Sequence, residues 1–277
     1  MDKMLCHILL SLICLRLCTS NDFLDDDKIV AATRKIAAFT YDKQKLERSR
    51  VHKISSALSL FGANWPCLWG EEVTGAMDTW EKHGDKFEDG WKFTCGLRRI
   101  KSPCIVYSLG SCGNMAFEKA LLQDNPSCEI YIFDKDNYGM EDWFPDPEAR
   151  KHIHFQKAFI SASPQNSNAK DVPVKTLESI MTEYGHKYID VLKMDIEGEE
   201  WDILNGPLPY VGQLQVEVHL PKNHLQAQVK SLSRMFDNIE KHGLRLFHKE
   251  VNARYDMNCM EFAFIQEQWT PSRKSHD

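Results

Sequence analysis

Three charged residues stand at alternate positions where an apolar stretch ends, in the run Val191-Leu192-Lys193-Met194-Asp195-Ile196-Glu197-Gly198. If this stretch is a strand, Lys193, Asp195 and Glu197 project from one face as the chain leaves the sheet. Such an apolar strand is typical of the interior of a parallel sheet, where ligands bind beyond the carboxyl ends of the strands. We therefore predict a functional site at this edge, with these three residues as candidate catalytic groups.

Two further candidates, Glu217 and His219, lie two positions apart in the next apolar stretch and share a face if it is a strand. Such a pair can orient or deprotonate an acceptor hydroxyl, since the intrinsic pKa of histidine lies near neutrality. The structural alternatives are that Glu197 favours the start of the following helix and that Glu217 and His219 face water. A metal ion could instead be bound by four of these residues, namely Asp195, Glu197, Glu217 and His219. We do not include a metal among the predicted cofactors.

A glycine turn and an acid follow two earlier strands. Ser108-Leu109-Gly110-Ser111-Cys112-Gly113 ends one strand and opens a helix, and Asp134 ends the next strand about twenty residues later, the spacing at which a carboxylate can accept ribose hydroxyls. The third glycine of a pyrophosphate-binding fingerprint is missing, which favours S-adenosylmethionine, a cofactor without phosphate. We predict that Ser108, Gly110, Gly113, Asp134 and Asp195 contact this cofactor.

These candidates lie among strands that alternate with helices, which predicts an α/β fold with a parallel sheet covered by helices on both faces. No helix is predicted between the last two strands, so they should form a hairpin, giving seven strands of which the last is antiparallel. Strands are expected at 104–110, 129–133, 152–160, 189–195, 214–220, 244–248 and 261–265. Helices are expected at 114–123, 175–184, 199–204 and 225–242.

In these motifs the sequence resembles the FkbM-type methyltransferase domain, found also in animal methyltransferase-like proteins that begin with a signal sequence. The resemblance rests on Val106-Tyr107-Ser108-Leu109-Gly110, on Lys175-Thr176-Leu177, on the D-I-E-G-x-E-W block from Asp195 to Trp201, on Gln213 to Leu220, and on Asp89-Gly90-Trp91. It implies a Rossmann-like class I methyltransferase fold, S-adenosylmethionine as methyl donor, and O-methylation of a small-molecule or sugar hydroxyl. A catalytically inactive secreted binding protein that retained the fold is the alternative.

The chain is predicted to comprise three parts. Residues 1–20 read as a secretory signal peptide, 21–100 as a helical, tryptophan- and cysteine-containing extension, and 101–277 as the methyltransferase domain. We expect a secreted or secretory-lumen protein without stable membrane insertion after cleavage. The tryptophan-rich part of the extension could pin it to the domain or cap the site.

The net charge limits the possible partners, and the number of cysteines indicates the cellular compartment. The 34 Lys and Arg against 40 Asp and Glu give a net charge of -6 with mixed signs, which argues against a nucleic-acid partner and leaves a small-molecule or glycan acceptor. Six cysteines follow the signal segment, and an even count in an oxidising compartment favours disulfides. Cys67 and Cys95 are our expected pair, because both lie in the loop-rich extension. No oligomeric state is assigned.

Overall fold

The computed structural model describes residues 27–48, 61–75, 90–100, 103–164, 172–219, 225–252 and 259–271. The predicted signal segment at 1–20, together with Asp89 and Leu220 of the motifs above, lies outside these residues.

The described strands are β1 (Glu71–Thr74), β2 (Lys92–Cys95), β3 (Ile105–Leu109), β4 (Glu129–Asp134), β5 (Ile153–Lys157), β6 (Phe159–Ile160), β7 (Val174–Lys175), β8 (Tyr188–Met194), β9 (Tyr210–His219), β10 (Leu244–Asn252) and β11 (Cys259–Gln266). The helices are α1 (Asp27–Arg48), α2 (Ala116–Asp124), α3 (Pro147–Arg150), α4 (Leu177–Tyr184), α5 (Glu200–Asn205) and α6 (Leu225–Lys241).

Seven strands form the main sheet in the order β10-β11-β9-β8-β3-β4-β5. Strands β5, β4, β3, β8 and β9 pair in parallel, whereas β11 pairs antiparallel with both β9 and β10. The predicted mostly parallel sheet with an antiparallel last strand is confirmed, and so is the terminal hairpin. The strand order reverses between β3 and β8, and a crevice for ligands is expected beyond the carboxyl ends of these two strands.

Some predicted boundaries differ from the observed ones. The stretch predicted as one strand at 152–160 is divided, because β6 leaves the main sheet and pairs with β7 in a separate two-stranded sheet. Helix α4 begins at Leu177, two residues later than predicted, because Thr176 caps it by accepting a hydrogen bond from the Ser179 amide. Strand β9 begins at Tyr210, four residues before the predicted start.

Helices cover both faces of the sheet, as predicted. On one face, α4 and α6 pack side chains such as Ile180 and Phe236 into the largest apolar cluster. On the opposite face, α2 packs Phe117 and Leu121 against β3 and β4 in a second cluster. At about 25 cal/mol per Å² of buried apolar surface, each large side chain fully buried in these clusters contributes roughly 1.5–3 kcal/mol to folding.

The β1–β2 hairpin covers the second face where it crosses β9. Gln213 on β9 accepts a hydrogen bond from the Cys95 amide at 2.9 Å and donates to the Cys95 carbonyl at 2.7 Å. Two residues further along β9, Gln215 donates to the Thr94 hydroxyl at 2.8 Å. This ladder of contacts holds β2 along β9 and places Lys92 over the carboxyl end of that strand.

Two disulfides brace this part of the chain. The expected Cys67–Cys95 bond is present and joins β2 to the segment before β1. A second bond, Cys104–Cys128, links the residues that immediately precede β3 and β4. Among the described residues, no helix is both long and apolar enough to cross a membrane.

Candidate functional site

The glycine turn, residues 110–113, lies at the edge where the strand order reverses. The Gly110 amide donates to the Phe133 carbonyl at 2.9 Å, and the Asp195 amide donates to the Leu109 carbonyl at 2.9 Å. Gly110 and Gly113 have φ values of +76° and +78°. A Cβ on Gly110 would lie 1.8 Å from the Asp195 carbonyl oxygen, so this close approach of two backbones requires glycine.

Asp134, at the end of β4, is bound to the same turn. Its Oδ2 accepts hydrogen bonds from the Ser111 and Cys112 amides, both at 2.8 Å. Its Oδ1 accepts from the Asp136 amide at 3.0 Å. The predicted acid and the predicted glycine turn are therefore brought together into one unit, in which the carboxylate holds the turn against the strand.

Ser108 and Lys193 lie beneath the turn, inside the protein. Both are at most 3% exposed, and the Ser108 hydroxyl donates to the fully buried Glu118. Lys193 Nζ donates to the Gly110 carbonyl at 2.6 Å and lies 3.9 Å from Glu118 Oε1. These contacts support the turn from below, so the structure separates Ser108 and Lys193 from the solvent-facing part of the site.

Lys92 forms the centre of a buried charge cluster, which we call the carboxylate cluster and which also contains Asp195, Glu217 and Glu261. Its Nζ lies 2.5 Å from Glu261 Oε1 and 3.7 Å from both Asp195 Oδ2 and Glu217 Oε2. The Lys92 side chain is 1% exposed. Three carboxylates therefore surround one ammonium group away from water.

The charges of this cluster shift the pKa values of its members. Burial lowers the pKa of Lys92, but the three carboxylates outweigh burial and raise it, so the ammonium form persists. Burial raises the pKa of Asp195, but the charges of Lys92, Lys193 and His219 outweigh it and lower the pKa. For Glu261 burial dominates, and its pKa is raised despite Lys92. Asp195 thus stays ionised more firmly than Glu261.

His219 is held by two residues of the D-I-E-G-x-E-W block. Its Nδ1 donates to Glu200 Oε1 at 2.5 Å, and its backbone amide donates to the same oxygen at 3.0 Å. The Trp201 indole donates to the His219 carbonyl at 2.7 Å. Burial lowers the pKa of His219, but the hydrogen bond and charge of Glu200, with Asp195 and Glu197 adding to them, raise it to about 9. The imidazole therefore carries a proton at neutral pH.

The remaining ring nitrogen of His219 faces the two predicted acids after β8. Nε2 lies 3.9 Å from Asp195 Oδ1 and 3.5 Å from Glu197 Oε2. Strand β8 ends at Met194, so strand alternation does not extend to Glu197, whose side chain is 79% exposed and whose φ is +56°. A non-glycine residue in this region costs of order 1–3 kcal/mol and is frequent at functional sites.

Sequence reasoning brought Asp195, Glu217 and His219 together correctly but missed Lys92 and Glu261. Glu261 pairs directly with Glu217 across β11 and β9, so both side chains share a face. A charged residue within a predicted apolar strand was a usable signal for Glu261. Lys92 follows the Asp89-Gly90-Trp91 motif by one residue, and its place in the site depends on how the hairpin lies over the sheet.

Comparison with known proteins gives a family match and two curated relatives. A family model described as a methyltransferase domain matches residues 71–266, more than half of the 277-residue chain. A probable methyltransferase-like protein 24 from Homo sapiens is 30% identical over 164 residues, which cover 52% of this chain and 42% of that protein. The protein of the same description from Rattus norvegicus is 30% identical over 168 residues, with the same two coverages. The chain matches less than half the length of these relatives.

Solved structures give more distant matches. A fibrillarin from Aeropyrum pernix in complex with natively bound S-adenosyl-L-methionine is 12% identical, with a TM-score of 0.37, over 62% of this chain and 70% of that one. The N-terminal domain of EvdMO1 with SAH bound is 11% identical, with a TM-score of 0.34, over 61% of this chain and 76% of that one.

Proposed function

The chain belongs to the methyltransferase domain family, and from this premise we propose that it is an S-adenosylmethionine-dependent methyltransferase acting on a hydroxyl of a small molecule or glycan. Within the family we propose the FkbM type, on the D-I-E-G-x-E-W block from Asp195 to Trp201. The observation that carries the proposal is the joining of the glycine turn to Asp134 at the edge where the strand order reverses.

The residues at this edge fit the cofactor. Gly110 and Gly113 let the turn pack against the Asp195 carbonyl and the Tyr138 ring, which sets the backbone of the turn at the edge where the cofactor would lie. Asp134 ends β4, and its Oδ1 accepts one described hydrogen bond, from the Asp136 amide, which leaves a lone pair for a ribose hydroxyl. Tyr138 packs its ring against Gly113 and adds an apolar surface beside the turn. We propose that Gly110, Gly113 and Asp134 hold the cofactor.

We propose that the acceptor lies beside Asp195, Glu197 and His219. When bound, S-adenosylmethionine supplies a methyl group already activated on a sulfonium, so the protein mainly has to align the acceptor and exclude water. Because its pKa is lowered, Asp195 keeps its carboxylate ionised and available to accept the hydroxyl proton, as a weak base. His219 is protonated at neutral pH, so at this pH it would orient the acceptor and Asp195. It could act as a base only after losing its proton.

Lys193 and Glu217 have supporting roles in this proposal. Lys193 fixes the carbonyl of Gly110, so it positions the turn from beneath. Glu217 is 4% exposed and lies next to Lys92, so it sets the charge around Asp195 from inside the protein.

Calorimetric titration with S-adenosylmethionine and S-adenosylhomocysteine tests the cofactor site. Asp134→Ala should weaken binding about 10- to 150-fold, since a hydrogen bond to a charged group contributes about 1.5–3 kcal/mol. Asp136→Ala is the matched control, because its side chain is exposed and its backbone amide still bonds to Asp134. Equal affinities in the two variants would refute the assignment of Asp134. Absence of binding to a folded wild-type sample would favour the inactive binding protein.

Transfer of radiolabelled methyl groups to monosaccharides, glycans and catechol tests the reaction class. Once an acceptor is found, Asp195→Asn should lower kcat more than it changes KM, because the proton is taken up only as the methyl group moves. Full kcat in Asp195→Asn would exclude Asp195 as the proton acceptor.

For location, we propose the secretory lumen or the extracellular space. The support is the pair of disulfides, Cys67–Cys95 and Cys104–Cys128, which persist in oxidising compartments. Expression in animal cells should place the protein in the medium or in a protease-protected lumen, with a mature terminus near residue 21. A cytosolic protein with residues 1–20 retained would contradict this location.

A further inference from the structure

One group of side chains in the site has the composition of a metal-binding set. Among the described residues, the ligand atoms of Glu217, His219 and Cys259 all lie within 4.8 Å of one another. Glu217 and His219 share a face of β9, and Cys259 pairs directly with His219 across the two strands. Three ligands of different chemistry, an oxygen, a nitrogen and a sulfur, therefore project from one face of a paired two-strand ladder.

The orientation of His219 is independent support for metal binding. Its Nδ1 donates to Glu200 Oε1 at 2.5 Å, and Glu200 is fully buried. A carboxylate that accepts the second ring hydrogen bond is the usual partner of a metal-binding histidine, since it fixes the ring and makes the other nitrogen more basic. Trp201 also holds the His219 backbone from the same block. Nε2 is therefore the nitrogen that this arrangement presents to a ligand.

Charge and openness favour a cation beside these ligands. Asp195, Glu217 and Glu261 surround the ammonium of Lys92, so three carboxylates lie within 4 Å of this one lysine. Asp195, with a side chain 23% exposed, lies next to His219 and leaves one side of the group open. Three protein ligands and one open position are the arrangement of a catalytic zinc site.

We propose that Glu217, His219 and Cys259 form a binding site for a divalent first-row transition metal ion of the zinc class. Zinc bonds of about 2.0 Å to nitrogen and about 2.3 Å to sulfur would hold the three ligand atoms closer to one another than the 4.8 Å that bounds their separations here. The thiol of Cys259 and the imidazolium of His219 each give up a proton to water when the ion binds, so that the sulfur and Nε2 can coordinate it. The site requires no bound cofactor or acceptor, and therefore does not depend on the methyl-transfer proposal.

Cobalt titration of the full chain, with its disulfides intact, tests the site. Co²⁺ bound to a thiolate gives an intense near-ultraviolet absorption band, which should appear in the wild type and disappear on addition of Zn²⁺. The band should be lost in Cys259→Ser and retained in Cys112→Ser. These two cysteines are the described ones outside the disulfides, so Cys112 is the matched control.

A second pair of variants tests the histidine. His219→Gln should abolish the Cys259-dependent band, and Glu200→Gln should weaken Co²⁺ binding about 10- to 100-fold through loss of the carboxylate partner. Near-ultraviolet circular dichroism confirms that each variant is folded. A band that survives in Cys259→Ser, or a folded wild type without a Cys259-dependent band, would overturn the proposal. S-adenosylmethionine binding measured on Cys259→Ser separates this outcome from failure of the cofactor site.

Discussion

Replacement of Lys92 by methionine should destabilise the protein more than any change of a surface lysine. Methionine has a similar length and fills the space, so the main effect is loss of the charge. The ammonium lies 2.5 Å from Glu261 and 3.7 Å from Asp195 and Glu217, with 1% of its side chain exposed. Its removal leaves three carboxylates in a buried site without their cation.

The size of the loss follows from these distances. With an effective dielectric constant of about 20, each 3.7 Å pair contributes about 4.5 kcal/mol of attraction. Desolvation of the ions offsets most of this attraction in the folded protein. The net cost of removing one partner from a buried pair is about 3–5 kcal/mol, because an uncompensated charge remains. At roughly 2–4 °C per kcal/mol, Tm should fall by about 6–20 °C.

The loss should also depend on pH. Asp195 has a lowered pKa, so its contribution to stability is present above the unfolded-state pKa and is lost as pH falls through the folded-state value. Without Lys92 the carboxyl groups have higher pKa values and are more easily protonated. The difference in unfolding free energy between wild type and Lys92→Met should therefore be large near pH 7 and should narrow below about pH 4.

Guanidinium unfolding with intact disulfides, followed by tryptophan fluorescence, measures these differences. Lys151→Met is the control, because Lys151 makes an exposed ion pair with Glu148 and should cost at most about 0.5 kcal/mol. Lys92→Met combined with Glu261→Gln should lose at least about 1 kcal/mol less than the sum of the single changes. A loss in Lys92→Met no greater than in Lys151→Met at pH 7 would refute the buried-charge reasoning.

Three further predictions concern the backbone at Gly110, the protonation of His219 and the Cys104–Cys128 disulfide. Gly110→Ala should cost about 2–5 kcal/mol in chemical unfolding, from positive φ and a backbone clash, whereas Gly185→Ala, at φ +72° with open space, should cost only about 1–2 kcal/mol; similar losses would contradict the close approach. The pKa of His219 rises from 6.5 to about 9 on folding, so its protonation stabilises the fold fully below pH 6.5. Between pH 6.5 and 9 the unfolding free energy of the metal-free wild type should fall by on the order of 3 kcal/mol more than that of His219→Gln. Parallel curves of unfolding free energy against pH for the two proteins would exclude the shift. Replacing Cys104 and Cys128 by serine should cost about 3 kcal/mol, since their bond closes a loop with a sequence separation of 24; unchanged unfolding midpoints would show that the bond does not constrain the unfolded chain.

The sheet was predictable from sequence because its central strands are buried on both faces. Strands β3, β4 and β8 read as short apolar runs that end at glycine or acid residues, and the structure places them where the pattern did. The early start of β9 was not predictable from its own residues. Gln213 and Gln215 interrupt the apolar pattern, yet both are fully buried. The hairpin bonds both ends of the Gln213 amide and the nitrogen of the Gln215 amide, whose oxygen has no hydrogen-bond partner within the described part of the chain.

The site was predictable only where its residues follow strand ends. The proximity of Asp195 and His219 could be predicted because parallel strands bring their carboxyl ends to one edge. Lys193 was placed with them by alternation, but its side chain lies beneath the glycine turn, where the buried Glu118 offers a second charge. The residues around β8 do not predict that Glu118 lies next to Lys193. Pairings of this kind depend on how a helix packs against the sheet.

The hairpin before the main sheet is more than a covering layer, because it completes the charge balance of the site. Without Lys92 from β2, Asp195 would have no buried lysine within 4 Å among the described residues, and it would lose the largest of the charges that lower its pKa. The family match also begins at residue 71, at the first residue of β1. We infer that Asp195 can remain ionised beside an acceptor because the ladder from Gln213 and Gln215 fixes β2, and with it Lys92, against β9. Substitutions that weaken the contacts of Gln213 and Gln215 with β2 should therefore raise the pKa of Asp195, although neither residue is in contact with it in this ladder.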